Sequence, residues 1–155
     1  MPPCPVRSLV RLAQQSRLDL EKVMHITTAT REYEAWVAGH TPMVRGQLFT
    51  KHKRMAQDPV QVLRGTFYRW TQMWPDVCPE LAKSVNVLAV GDLHIASFGT
   101  WRDAYGRLVW GIDDFDEAYP MGYANGLVRL GVSAIMDEQE GALAVGVRDI
   151  LRCVT

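Results

Sequence analysis

Near residue 85 the spacing of apolar residues changes from helical to strand-like, and that change fixes the fold class. Upstream, Ser16 is placed to cap a helix from about Arg17 to Ala38, with Leu18, Leu20, Val23, Met24, Tyr33 and Trp36 among its apolar positions. Thr27-Thr28 weakens that segment, and Gly39 reads as its stop. Thr41-Pro42 is a cap followed by proline at the first helical position, which predicts a helix to about Gln57. Asp58-Pro59 repeats the signal. The helix it predicts carries Val60, Leu63, Phe67, Trp70 and Trp74 on one stripe and ends at Pro75.

Downstream, Asn86–Val90 is a short buried-strand candidate. The segments 97–102 and 107–112 flank Asp103-Ala-Tyr-Gly106, the pattern of a hairpin with glycine closing its loop. Trp101 and Trp110 flank that turn; pairing across it is one reading, and simple packing is the preferred one. Residues 125–135 read as a helix with Leu127, Leu130 and Ile135 inward, and a second helix follows from about Val145. The expected class is α+β: mainly helical, with a short strand plus a β-hairpin. Residues 1–40 are expected to form an N-terminal helical segment and 41–155 the main domain.

Composition excludes several alternatives. Apolar residues make up 48% and charged residues 22% of the 155, which is ordinary globular usage and not that of a disordered, collagenous or coiled-coil chain. No apolar run approaches the roughly 18 residues of a membrane span, and MPPCPVRS lacks a secretory pattern. Cys4, Cys78 and Cys153 are odd in number and far apart, which fits reduced thiols and a cytoplasmic setting. Residues 1–70 carry eleven Lys/Arg against five Asp/Glu, and the rest six against twelve. The net charge is zero; a nucleic-acid binder is typically net basic. No nucleic-acid or membrane partner is therefore expected.

Chemistry concentrates in Val87–Glu117. The predicted strand delivers Gly91, Asp92 and His94 at its end, where ligand groups are commonly placed. Twenty-two positions after Asp92, a second strand ends in Asp113, Asp114, Asp116 and Glu117. Carboxylates so close repel one another, and Mg²⁺ would relieve the repulsion with oxygen ligands of its preferred type. A solvated acidic turn is the plain alternative, but Ile112 and Phe115 among the acids favour a half-buried strand end. His94 lies two positions from Asp92 and so shares its face on an extended segment. It is suited to bind a metal or to hold the loop. His25, His40 and His52 read as surface or helix residues.

A strand followed by Asp-x-His resembles the first motif of calcineurin-like metallophosphoesterases, but these need further histidines and none follows His94. GDLH followed by DDFDE fits better the order of kinase-like phosphotransferases, a catalytic Asp and later a metal-binding Asp. KHKRMAQDPVQVLRGTFYRW, VLAVGDLHIASFGTW and GRLVWGIDDFDEAYP together resemble the bacterial domain of unknown function 2252, over roughly residues 45–152. Its motifs resemble the catalytic and metal segments of aminoglycoside phosphotransferases and protein kinases. The resemblance thus implies the catalytic-loop part of a protein-kinase-like fold.

Carried over, Asp92 matches the catalytic base and His94 the loop histidine. Asp114 matches the Mg²⁺-binding acid, with Asp116 and Glu117 completing the run. Arg64 and Gly65 match the family's RG motif; Arg64 reads either as a buried, cofactor-binding residue paired with an acid or as a surface arginine. Ser97 stands where the family has asparagine as second metal ligand, Asp113 where asparagine is common, and Gly126 where an aspartate braces the loop. No glycine-rich nucleotide loop is found, so the chain reads as a truncated form of a longer family. ATP or another nucleotide is expected only where a missing segment is supplied. The expected function is Mg²⁺-dependent phosphoryl transfer to a hydroxyl-bearing substrate, incomplete in this chain alone. The competing readings are a non-enzymatic remnant or partner-binding domain, self-associating through exposed apolar surface, and a metal-dependent phosphoesterase.

Overall fold

The computed structural model describes residues 25–154. Ser16, the first part of the 17–38 segment and Cys4 lie outside the described residues. The chain divides into two compact units, one up to Pro79 and one spanning Glu80–Val154.

The first unit is helical. α1 (Ile26–His40) starts behind His25, whose Nδ1 accepts the Thr27 N–H, and it runs through Gly39. Thr41 is extended and donates its N–H to the Val37 carbonyl. Thr41 therefore closes α1 and does not open the next helix. α2 (Arg45–Met55) begins later than Thr41-Pro42 predicts, and no side chain caps it. Asp58 behaves as read: its carboxylate accepts the Val60 N–H at 2.7 Å and Pro59 opens α3 (Pro59–Gly65).

The helix predicted from Asp58 to Pro75 is two helices. Thr66 leaves helical geometry (φ −131°, ψ 37°), its hydroxyl bonds the Val62 carbonyl at 2.7 Å, and α4 (Phe67–Val77) follows. A threonine hydroxyl that bonds back to the preceding turn competes with the main-chain ladder. Pro75 lies inside α4 near its end and does not terminate it. Part of the aromatic stripe still forms core, since Phe67 and Trp74 are buried with Ala29 and Cys78. Tyr33 stacks on Tyr68 with ring centroids 4.1 Å apart, and Thr30 bonds the Tyr68 hydroxyl at 2.7 Å. Cys78 and Cys153 are free, and burial pushes the Cys78 thiol up to about 11. His25, His40 and His52 are helix-associated, as expected; His25 and His40 are exposed.

The second unit holds two two-stranded antiparallel sheets and two helices. β1 (Asn86–Ala89) is the expected strand, but only Ala89 is buried and Leu88 is 78% exposed. A sheet of two strands cannot enclose a strand on both faces. β2 (Phe98–Arg102) and β3 (Leu108–Ile112) form the expected hairpin, with Phe98 opposite Ile112 and Arg102 opposite Leu108. Trp101 faces Val109 and Trp110 faces Thr100. Strand alternation therefore puts the two tryptophans on opposite faces, so they do not pair. Trp110 stacks on Phe98 instead, at 4.9 Å, and the Trp101 ring lies over Gly111.

β4 (Tyr119–Gly122) pairs with β1, Asn86 opposite Gly122 and Ala89 opposite Tyr119. α5 (Tyr123–Gln139) follows without a loop. Its start is tied down by the Tyr123 N–H, which donates to the Val85 carbonyl at 3.1 Å. Leu127, expected inward, is 43% exposed, and the buried positions of α5 are Ala124, Asn125, Gly126, Arg129, Gly131, Ser133 and Ala134. α6 (Val147–Val154) buries Ile150. The class is α+β, as the periodicity predicts. Among the described residues, no helix is long and apolar enough to cross a membrane.

Candidate functional site

The site begins where β1 ends. Gly91 has φ +88°, and a Cβ there would overlap the carbonyl oxygen of Glu117. Only glycine lets the Asp92 loop and the acidic run approach so closely. The two segments are stitched again farther on. Ser97 immediately precedes the hairpin, its carbonyl accepts the Asp113 N–H at 3.0 Å, and the Asp113 carboxylate lies against the bare face of Gly99. The order of the motifs in the chain is thus converted into contact between them.

Between these two stitches, the 92–97 loop is held from inside. Ser97 is fully buried; its hydroxyl accepts the His94 N–H at 3.2 Å and donates to the Asp92 carbonyl at 3.4 Å. These two bonds hold the Ser97 hydroxyl inside the loop. His94 is 2% exposed, and its Nε2 lies 4.0 Å from Asp92 Oδ2.

α5 supplies the remaining contacts; of its residues the sequence singles out only Gly126, where the resembled family has a bracing aspartate. Arg129 is fully buried and donates from Nε to Asp92 Oδ1 at 2.9 Å, and from Nη2 to the same oxygen. Burial draws its guanidinium below the ordinary arginine value, opposed by the charges of Asp92 and Glu117. The guanidinium thus bonds the carboxylate of the first motif and lies in the field of an acid of the second. One turn on, the Ser133 hydroxyl accepts the Ile95 N–H at 3.1 Å and reaches Asp137 Oδ2 at 3.4 Å. Leu93 packs against Gly126, where an added Cβ would lie 3.5 Å from Leu93 Cδ2, an ordinary contact. Positions 126, 129, 133 and 137 form one helical stripe. Along it α5 follows the loop almost residue by residue. The signal available in the sequence is a lone charge inside NGLVRLGVSA, a helix otherwise apolar and small.

The acidic run occupies the connection between β3 and β4, in a turn where the Ala118 N–H bonds the Phe115 carbonyl at 3.0 Å. Asp114 is half-buried, whereas Asp113, Asp116 and Glu117 are exposed. Phe115 is 56% exposed, so the expected half-buried strand end is instead an acidic turn. Arg64 is exposed on α3 in the other unit, not buried against an acid. Among the described residues, no three His, Cys, Asp or Glu side chains converge as a ligand set.

The second unit is thus an α+β body whose Asp92–Ser97 loop is braced by a buried polar stripe on one helix. Residues 43–154 match the family described as "Uncharacterized protein conserved in bacteria" (DUF2252), and the chain belongs to that family. No curated protein and no solved structure matches it.

Proposed function

We propose that the Glu80–Val154 unit carries the catalytic-loop and metal segments of a kinase-like phosphotransferase, acting on a hydroxyl-bearing substrate. The observation that carries this reading is the juncture of the two motifs, with Gly91 against Glu117 and Asp113 bonded to Ser97. Phosphoryl transfer asks little covalent chemistry of the protein and much positioning. Asp92 suits the role of base, because Arg129 holds its Oδ1 and its side chain keeps 18% exposure from which to accept a hydroxyl proton. His94 and Ser97 hold the loop.

The residues fit Mg²⁺ in one respect. Mg²⁺ is usually held by one or two carboxylates together with substrate phosphates and water, not by an all-protein cage. Asp114, with Asp116 beside it, offers such carboxylates. When bound, the ion supplies charge neutralisation for phosphate oxygens. The donor set does not suit a two-metal phosphoesterase, which needs more histidines than this chain's single His94 in the region.

Calorimetric titration with Mg²⁺ tests the reading. Asp114→Asn is expected to weaken binding about tenfold, since one of few anionic ligands is lost. Superimposable isotherms for Asp114→Asn and the parent chain would overturn the proposal and leave a non-enzymatic member that keeps the fold.

A further inference from the structure

We propose that the groove between α1 and α2 binds a short apolar peptide by its two charged ends. Arg31 takes the terminal carboxylate, Glu34 the terminal ammonium, and Ile26 and Met55 the apolar side chains. The site lies wholly in the unit up to Pro79 and is independent of the phosphoryl-transfer reading.

A cavity of about 530 Å³ opens between the two helices, and its lining includes Ile26, Thr30, Arg31 and Glu34 from α1 and His52 and Met55 from α2. Ligand sites typically measure about 300–1,000 Å³ and combine apolar walls with a few placed polar groups. Both walls are held in place. The Thr30 hydroxyl bonds the Tyr68 hydroxyl at 2.7 Å and Tyr33 stacks on the Tyr68 ring, which fixes α1 against α4. His52 Nε2 bonds Glu34 Oε1 at 2.6 Å and Lys51 Nζ lies 5.9 Å from the centre of the Tyr33 ring, which fixes α2 against α1.

The charges in the groove select the ligand. Arg31 and Glu34 stand one helical turn apart, a spacing at which opposite charges can pair. Here they do not. Glu34 gives Oε1 to His52, and Arg31 forms no ion pair among the described residues. The groove therefore presents an uncompensated guanidinium and a carboxylate whose second oxygen has no bond among the described residues. A simple anion would meet the charge of Glu34, and a simple cation that of Arg31. A zwitterion satisfies both, because a guanidinium forks onto a carboxylate and a carboxylate accepts from an ammonium. The spacing then selects its length. Side chains one turn apart on a helix are separated by about 5–6 Å at Cβ. Two extended residues span at most about 7 Å, and one residue half of that. Ile26, 39% exposed, and Met55 give two apolar side chains a surface to cover.

Calorimetric titration of the whole chain with leucyl-leucine tests the proposal. The dipeptide is expected to bind; its N-acetyl form, which lacks the ammonium, and its C-terminal amide, which lacks the carboxylate, are each expected to bind about tenfold more weakly. Free leucine and glycyl-glycine are also expected to bind more weakly. Arg31→Gln should lose the distinction between the dipeptide and its amide while still rejecting the acetylated form. Glu34→Gln, whose amide oxygen can still accept from His52, should show the reverse. Circular dichroism melts confirm that both variants fold. Should either not, the two capped dipeptides against the parent chain still decide. The proposal is overturned if leucyl-leucine does not bind, if either capped form, leucine or glycyl-glycine binds as tightly, or if each variant keeps the discrimination it is expected to lose.

Discussion

Gly91 and Gly106 both hold positive φ, +88° and +77°, yet their surroundings give them different weights. A Cβ at Gly106 meets nothing within 4 Å, whereas one at Gly91 would overlap the Glu117 main chain. Gly106→Ala should therefore cost only the left-handed conformation, about 1 kcal/mol. Gly91→Ala adds a main-chain collision that must push the acidic run away, and a loss above about 3 kcal/mol is expected. Urea midpoints of the two variants check this. Equal losses would mean that the contact between the motifs is not tight. The same residue-scale logic explains why Arg129 escapes notice in the sequence. A charge in a helix is normally solvated, and the three-dimensional pairing with Asp92 helps make a fully buried one tolerable.

At the scale of elements, the turn of the β2–β3 hairpin is organised around the Asp103 side chain. Asp103 Oδ1 accepts the N–H groups of Tyr105 and Arg107, each at 2.9 Å, and its Oδ2 accepts from Arg107 Nε at 2.7 Å. The Arg107 side chain is the main reason that the Asp103 carboxyl is held below its ordinary 3.8; the Arg107 N–H adds to this, desolvation opposes it, and the Tyr105 N–H contributes least. A carboxyl depressed in the folded state stabilises it fully above its ordinary value, and the contribution is lost as pH falls through the depressed one. The turn should thus be intact at neutral pH and loosen only below 3.8. Amide resonances of Tyr105 and Arg107 followed by NMR against pH check this. Asp103→Asn, which retains an acceptor without the charge, should abolish the pH dependence. A titration that survives that change would reassign it to another group.

The hairpin is legible in the sequence because its alternation and its Gly-terminated turn are local signals, and so is the Asp58 cap. β4 is not, because Pro120 argues against a strand. It is accommodated opposite Leu88 in a sheet of two strands, where each strand has an unpaired side. The break at Thr66 is hidden because the apolar stripe continues across it. In the candidate site, the residues adjacent in the chain are visible. Those brought by α5 are harder to see: Arg129 shows only as a lone charge in an apolar helix, and nothing local distinguishes Ser133 and Asp137 from residues that merely face solvent.

For the molecule as a whole, the balance of charge and apolar surface bears on how copies of the chain meet. The net charge is zero, so no long-range repulsion separates them. In the Glu80–Val154 unit Leu88 is 78% exposed, Leu108 69%, Trp110 68% and Tyr119 65%. Both sheets of that unit have two strands, so every strand keeps one side unpaired, which is the feature that templates association. Apolar side chains beside open strand edges, on a chain without net charge, lead us to expect concentration-dependent self-association. Sedimentation velocity should show a weight-average coefficient that rises with protein concentration, and rises further with sulfate, which strengthens apolar contacts. Leu88→Lys should lower that rise by adding charge to an edge. Because the side chain is largely in solvent, folding stability should change by less than about 0.5 kcal/mol. Leu108→Lys should act likewise on the hairpin. A single species at every concentration would show that these exposed residues do not bring copies of the chain together, and an unchanged rise in both variants would place the contact elsewhere.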